Sequence, residues 1–587
     1  MLTFSRRTLL ASIGAIPAAA TAAQTPLLNR RATSRARPGT AGWPEAADWA
    51  DLNREVAGRL IPGARPVLEP PHKLLSNPFY VGDQVGLTQS SGWLGAWHSS
   101  PSVYAVHAES SADVAASVRF ARKHNLRLVV KGGGHSYLGG SNAPDSLLVW
   151  TRAMDSIELH NGFVPAGSRA APVPAVSVGA GCIWGRVYRA VTVEGGRYVQ
   201  GGGCTTVGVA GLVQGGGFGS FSKGFGIAAA SLLEAEVVTA DGQIRTVNSA
   251  RDPDLFWALK GGGGGTFGIV TRTTLKTHDL PQMLGGMSLI VEAQSDEGFE
   301  QLLAEFLHFS RNALVNPHWG EQAEATTDRR LRLGMNFQGL TSDQATAAWG
   351  PFLARLKAHP AEWKIVQPFV ALAAPARHFW DADFLFKAIP QELRLNDGPG
   401  ARPGDYWWAG DGDQVGAFWT GYASVWLPVT LLSEGVPRLA RAWAEASRHR
   451  SVTLHFNKGL AGASPETIAA SGNTAMNPQV LGAFALAIIG AAQDAAYPGW
   501  GEPDPDKGKR AAAAVHAADQ ALHSAAPGAG SYMSECDYFL PDWKRASWGR
   551  HSTRLEAIKR RYDPDGLFVV HHGIGSDSWS SDGFTPV

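Results

Sequence analysis

Apolar positions change their spacing twice between residues 103 and 131. Residues 103–106 form a short apolar run, and Ser110 and Asp113 then offer helix-capping oxygens ahead of helically spaced apolar positions over 114–124. Residues 126–130 return to a continuous apolar stretch, so the region is predicted as strand, helix, strand. Residues 176–181 and 269–275 read as further strands. After Pro281 the texture changes: 287–291 alternates like a strand, 300–313 is helical in pattern, and 331–337 and 453–456 are strand-like. Residues 508–524 read as an Ala-rich helix. Strands and helices in this order fit an antiparallel sheet with helices on one face. The apolar stretch 481–492 falls short of the ~18–20 residues a membrane-spanning helix needs. No internal repeat is visible.

Glycine changes this picture. The chain has 69 glycines, and three dense runs stand beside predicted strands. The first is Lys131, Gly132, Gly133, Gly134, His135 and Ser136, directly after the 126–130 strand. The second runs from Gly201 through Cys204, Thr206, Val207, Gly208 and Gly211 to Gly215 and Gly217. The third, around Gly263 and Gly268, precedes the 269–275 strand. Such runs bare consecutive backbone N–H groups and let the chain approach a ligand closely, which suits a pyrophosphate. A Rossmann domain also begins strand-to-glycine-loop, but Gly-Gly-Gly-His-Ser is not the dinucleotide fingerprint and no capped helix follows directly. An imidazole and a thiol, both nucleophiles, placed in two of these loops suggest a cofactor bonded to the protein at two points.

These loops resemble those of the vanillyl-alcohol oxidase superfamily of flavoproteins with a PCMH-type FAD-binding domain, in its berberine-bridge-enzyme-like branch. The Gly-Gly-His-Ser loop at His135 and the Cys-x-Thr-Val-Gly pattern at Cys204, Thr206, Val207 and Gly208 carry the resemblance. A closing Tyr-Asp-Pro segment at Tyr562 extends it, and the middle third matches more loosely. The resemblance implies FAD held bicovalently, with the flavin 8α-methyl on His135 and C6 on Cys204. It also implies an α+β architecture: a two-part FAD-binding domain and an antiparallel-sheet substrate domain roofing the flavin. The expected organisation is a signal peptide over 1–23, an N-terminal extension over 24–97, the FAD-binding domain over 98–280, the substrate domain over 281–530, and a C-terminal segment over 531–587 returning to the flavin domain. Lys131 and the glycines of all three runs are then expected to hold cofactor, together with Tyr562.

Charge and cysteine content narrow the class. A net charge of +1 gives no electrostatic case for nucleic acid or an acidic membrane. Arg6 and Arg7, followed by an apolar stretch and small residues near 20–23, read as a twin-arginine export signal, with an ordinary secretory signal as the alternative. That route carries folded proteins, so a cofactor could be bonded before export. The expected destination is the periplasm or the exterior, with no membrane segment in the mature form. Three cysteines exclude a disulfide framework; with Cys204 on flavin, Cys182 and Cys536 form either one bridge or two buried thiols, the latter preferred for Cys182.

The expected reaction is transfer of hydride from a small alcohol or sugar-type substrate to flavin and then to O2, releasing hydrogen peroxide. By the resemblance, Val207 leaves room for oxygen, and Tyr532, in the family's Tyr-x-Asn position, stands over the flavin as base or orienting partner. A basic phenol needs a neighbouring cation or second acceptor. Ser534 replaces the pattern's asparagine. Asp405, Trp407, Trp408 and Asp411 hint at a sugar-stacking cleft. His571 and His572 are adjacent, so on a strand they would point opposite ways; no metal site is expected. A dehydrogenase using another acceptor and a non-catalytic flavin redox carrier are the competing readings.

Overall fold

The computed structural model describes residues 33–63, 74–497 and 499–587. The predicted export signal lies outside the described residues. The strand–helix–strand expected at 103–131 is Tyr104–His107, Ser111–Lys123 and Arg127–Lys131. The helix starts where predicted because Ser110 accepts the Asp113 N–H while the Asp113 carboxylate accepts the Ser110 N–H, a reciprocal cap. Arg127–Lys131 and Tyr104–His107 flank Ser146–Trp150 in parallel, and Leu60–Pro62 adds an antiparallel edge. A second, five-stranded antiparallel sheet includes Val173–Gly179 and Ile269–Lys276 as neighbours. These two sheets make up the body that carries the glycine loops. The first glycine run leaves the C-terminal end of Arg127–Lys131, which puts His135 at a sheet edge facing the rest of the molecule.

The larger body is one nine-stranded sheet, ordered Trp363–Pro375, Met283–Ala293, Arg330–Gln338, Trp319–Ala325, Val452–His455, Ala483–Gln493, Ala417–Pro428, Ser90–Trp93 and Trp97–His98. All its pairs are antiparallel except Ser90–Trp93 on Ala417–Pro428. Residues 90–98, expected in the N-terminal extension, therefore extend this sheet. Helices Asp296–Ala313, Ser342–Ala358, Val436–His449 and Pro505–Ala525 cover one face. The period-two rule sorts the central strands cleanly. Ala323, Ala325, Leu454, Ala487 and Ile489 point into the helix-covered core, while Gln322, Glu324, Thr453, His455 and Ile488 face the other way and line a cavity. The apolar stretch near 481–492 is a buried strand, and no described helix is long and apolar enough to cross a membrane.

The C-terminal segment packs on the glycine-loop body. Helix Ser552–Tyr562 is followed by an isolated parallel bridge from Phe568 to Leu128. Lys559 anchors this packing: its buried ammonium donates to the Thr266 and Phe568 carbonyls and the Asp563 carboxylate, each at 2.6 Å.

Candidate active site

A cavity of about 1050 Å³ lies between the glycine loops and the free face of the nine-stranded sheet. The first two runs meet along its floor because neither carries a side chain at the contact. A Cβ on Gly133 would stand 2.6 Å from the Gly208 nitrogen, and one on Gly208 would stand 2.9 Å from the Gly133 nitrogen. That approach brings His135 Nε2 to 3.2 Å from the Thr206 hydroxyl, two residues from Cys204. Gly132, Gly133, Gly134, His135 and Ser136 line the cavity from one side. Cys204, Thr206, Val207, Gly208 and Gly211 line it from the other, with Gly268 behind.

The lining fits an extended dinucleotide. Cβ atoms on Gly203 and Gly211 would meet nothing within 4 Å, so glycine there keeps open space open. Also among the lining residues, the Gln214, Asn457 and Gln89 side-chain oxygens are buried without a protein partner. Such orphans cost ~1–3 kcal/mol each unless a ligand supplies donors.

Burial shifts the two nucleophiles in opposite directions. It lowers the His135 imidazole to about 4, so the ring is neutral and its nitrogen lone pair available at ordinary pH. It pushes the Cys204 thiol well up, an effect the neighbouring Asp411 carboxylate reinforces. Cys204 Sγ donates to Asp411 Oδ1 at 3.4 Å. Asp411 itself is raised to about 6, first by burial and then by the charge of Glu321.

On the sheet side, Lys458 Nζ donates to both oxygens of Glu535 at 2.6 Å. Glu321, left-handed at φ 72° and raised by burial, accepts from the Ser220 hydroxyl. His455 is pushed well below its usual range by burial and by Lys458. Periodicity gave no sign of these groups as a set, because they come from separate strands and turns. Glu535 was visible only as a neighbour of Tyr532.

Several sequence expectations need correction. Lys131 does not face the cavity: its ammonium donates to the Gln84, Val85 and Leu87 carbonyls at 2.7, 2.7 and 2.9 Å, tying the glycine loop to the preceding segment. Gly215, Gly217 and Gly263 also lie off the lining. At Gly217 (φ 71°) and Gly263 (φ 108°) the left-handed backbone accounts for glycine, and a Cβ on Gly215 would strike the Ser534 hydroxyl at 2.8 Å. The Tyr562 hydroxyl donates to Asp252 and Asp254 at 2.9 and 3.0 Å, an anchor away from the cavity. Tyr532 does line the cavity but packs edge-on against Phe218 at 5.2 Å. Burial and then the Glu535 charge hold its phenol well above the usual range, so no cation prepares it to act as base.

Asp405 pairs with Arg186 at 2.9 and 3.1 Å, and the Trp408 indole donates to the Gly203 carbonyl, so of the proposed sugar cleft only Asp411 reaches the cavity. His571 and His572 do not point apart, since they occupy a turn and their rings stack at 4.0 Å. His571 Nε2 lies 2.7 Å from the Tyr538 carbonyl oxygen. No group of three or more metal-ligating side chains occurs among the described residues. All three cysteines are unpaired; Cys182 donates to the Ser156 carbonyl.

The chain resembles known flavoproteins. The family model of the FAD binding domain matches residues 102–248, and that of berberine and berberine-like proteins matches 531–575. In both stretches the chain resembles the berberine-bridge-enzyme-like branch of the FAD-binding flavoproteins. This flavoprotein is 28% identical to the FAD-linked oxidoreductase patO of Aspergillus clavatus, covering 93% of each chain. It is also 28% identical to the VAO-type flavoprotein oxidase VAO615 of Thermothelomyces thermophilus, covering 94% of this chain and 95% of the relative. The crystal structure of VAO-type flavoprotein MtVAO615 from Myceliophthora thermophila C1 superposes with a TM-score of 0.74 at 25% identity, covering 93% and 98% of the two chains. The glucooligosaccharide oxidase of Acremonium strictum, described with a 6-S-cysteinyl, 8α-N1-histidyl FAD, shares the fold at TM-score 0.66 and 18% identity over 89% and 99%. The flavoprotein is thus an FAD-dependent oxidoreductase enzyme.

Proposed function

We propose that this oxidoreductase is an exported oxidase that takes hydride from an alcohol- or sugar-type substrate and returns the electrons to O2, with FAD joined to both His135 and Cys204. The observation that carries the reading is the shared cavity, with a neutral imidazole and a thiol on its glycine floor and a polar sheet face opposite. Bound FAD supplies the two-electron acceptor. The chain's part is to fix that group, hold substrate beneath the sheet and take a hydroxyl proton. Two attachment points suit a protein bound for an exterior where lost flavin is not replaced, and the paired arginines at 6 and 7 support export. The bicovalent flavin of the glucooligosaccharide oxidase supports the same attachment.

For the proton, the wall offers the carboxylates of Glu321 and Glu535. Glu321 is the better base because burial raises it toward neutral pH. Glu535 is held on both oxygens by Lys458, leaving Tyr532 to orient substrate rather than to accept the proton. Val207 lines the cavity beside Cys204, and its small side chain leaves space for oxygen.

The test combines flavin fluorescence on denaturing gels with peptide mass spectrometry of wild type, His135→Ala and Cys204→Ala. Flavin should stay on the wild-type chain after denaturation. Flavin that washes off would remove the covalent reading. A peroxide-coupled screen over sugars, alcohols and phenolics addresses the reaction. Substrate that bleaches the flavin anaerobically without rapid reoxidation in air would replace the oxidase with a dehydrogenase; no bleaching by any candidate would favour a redox carrier.

A further inference from the structure

The loop bearing Cys204 is gripped by a segment just over two hundred residues away. Arg186 holds Asp405 in a two-point ion pair at 2.9 and 3.1 Å. Next along, the Thr205 hydroxyl donates to the Tyr406 carbonyl at 2.5 Å, and the Trp408 indole donates to the Gly203 carbonyl at 3.2 Å. Tyr406–Trp408 pairs in turn with Leu393–Leu395, so the arm is backed by its own small sheet. Residues on both sides of Cys204 are therefore tied to this arm, and Asp411, at its end, puts Oδ1 3.4 Å from Cys204 Sγ. Among the described residues this carboxylate is the one side chain hydrogen-bonded to the thiol.

The chemistry calls for such a partner. A thiol buried in this way stays protonated at neutral pH, and the protonated form is a poor nucleophile. We propose that Asp411 is the base that takes the Cys204 proton as the bond from Sγ to flavin C6 forms. This inference rests on the two-point attachment proposed above. In the net step the S–H and flavin C6–H bonds break and the S–C6 bond forms. The thiol proton passes to Asp411 and the C6 hydrogen leaves as a proton to water. The two electrons released reduce dioxygen, which with the two protons gives hydrogen peroxide.

The charged and titratable groups facing Asp411 are Cys204, Glu321, Tyr137 and Tyr406. None of these is a cation; burial first, and then the charge of Glu321, hold the carboxyl up at about 6. It is ionised at neutral pH and loses its capacity to accept a proton as the pH falls through that value.

The experiment follows bond formation itself. Chain produced in a riboflavin-starved host is mixed with FAD in air, and peptides carrying flavin at His135 and at Cys204 are quantified by mass spectrometry over time. Wild type should acquire both links. Asp411→Asn should acquire the His135 link at the normal rate, which also reports that it folds, and the Cys204 link at least tenfold more slowly, with recovery as the pH is raised. Iodoacetamide alkylation of Cys204 in the flavin-free chain should be no slower in Asp411→Asn, because losing the carboxylate charge eases thiol ionisation, so a slow flavin link there reports loss of the base rather than a blocked thiol. An Asp411→Asn chain forming the Cys204 link at the wild-type rate would overturn the role of Asp411 while leaving two-point attachment intact. A wild-type chain with flavin on His135 alone would instead overturn two-point attachment. Should Asp411→Asn yield no folded chain, the wild-type pH profile decides. The Cys204 step should slow below about pH 6, and a rate independent of pH between ~5 and ~8 would refute the proposal.

Discussion

Gly133→Ala puts a single methyl group where the two glycine loops touch. Its Cβ would sit 2.6 Å from the Gly208 nitrogen, 3.0 Å from the Thr206 carbonyl oxygen and 3.2 Å from the Gly208 Cα. All three are backbone atoms, so no side chain can swing aside. Ordinary contact begins near 3.4 Å, so the loops must part by 3.4 − 2.6, about 0.8 Å. Overpacking of this kind costs ~1–3 kcal/mol, and each kcal/mol lowers Tm by roughly 2–4 °C for a body of this size. A Tm lower by about 2–12 °C is expected from the same two ranges. Because the displacement separates His135 from Thr206, the fraction of chain retaining flavin after acid precipitation should fall as well. Gly211→Ala is the matched control. Its Cβ meets nothing within 4 Å, and the position lies in helix Val209–Gln214, where alanine favours folding by ~0.5–1 kcal/mol. That methyl enters cofactor space without disturbing packing, so the flavin-free chain should keep its Tm while flavin incorporation drops. Calorimetry with flavin retention reads both variants. Gly133→Ala with wild-type Tm and full flavin would refute the claim that bare backbone contact registers the two loops.

Lys559→Met should destabilise by ~3–5 kcal/mol, the cost of leaving a buried charge unpaired, measured by denaturant unfolding. The lower end is expected because the Leu567 and Phe568 N–H groups continue to hold Asp563 at 2.7 and 2.9 Å. A change below 1 kcal/mol would contradict the anchoring role of Lys559. Tyr532→Phe removes one orienting hydroxyl and should lower kcat/KM by about tenfold or less, the scale of one hydrogen bond, with flavin retained. Glu321→Gln should cost ~10²–10⁴ in kcat as a lost proton acceptor, and the reverse order of these two variants would return the base role to Tyr532. Val207→Leu should leave anaerobic reduction by substrate unchanged and slow reoxidation in air, followed by stopped-flow absorbance.

How far the sequence reveals this molecule depends on the range of the forces involved. Periodicity placed the strand at Arg127–Lys131, the capped helix behind it and three strands of the larger sheet, because each is set by burial of its own side chains. It could not show that Gln322, Thr453 and Ile488 share one wall, since that depends on the order of strands far apart in the chain. Glycine composition was legible but ambiguous. Gly133 and Gly208 allow backbones to touch, Gly203 and Gly211 keep space open, and Gly217 and Gly263 relieve left-handed turns. One residue type serves three steric purposes, and only the neighbouring atoms tell them apart. Lys131 misled for a related reason: a cation beside a glycine loop reads as a phosphate ligand until three carbonyls take all of its protons. Asp411 shows the complementary case. Nothing in its local sequence marks it as a partner of Cys204; it arrives there because Thr205 and Gly203 capture the arm at Tyr406 and Trp408. The groups proposed to bond the cofactor stand out in the chain as reactive residues in glycine. The groups that tune them come from distant segments and are legible only once the packing has brought them in.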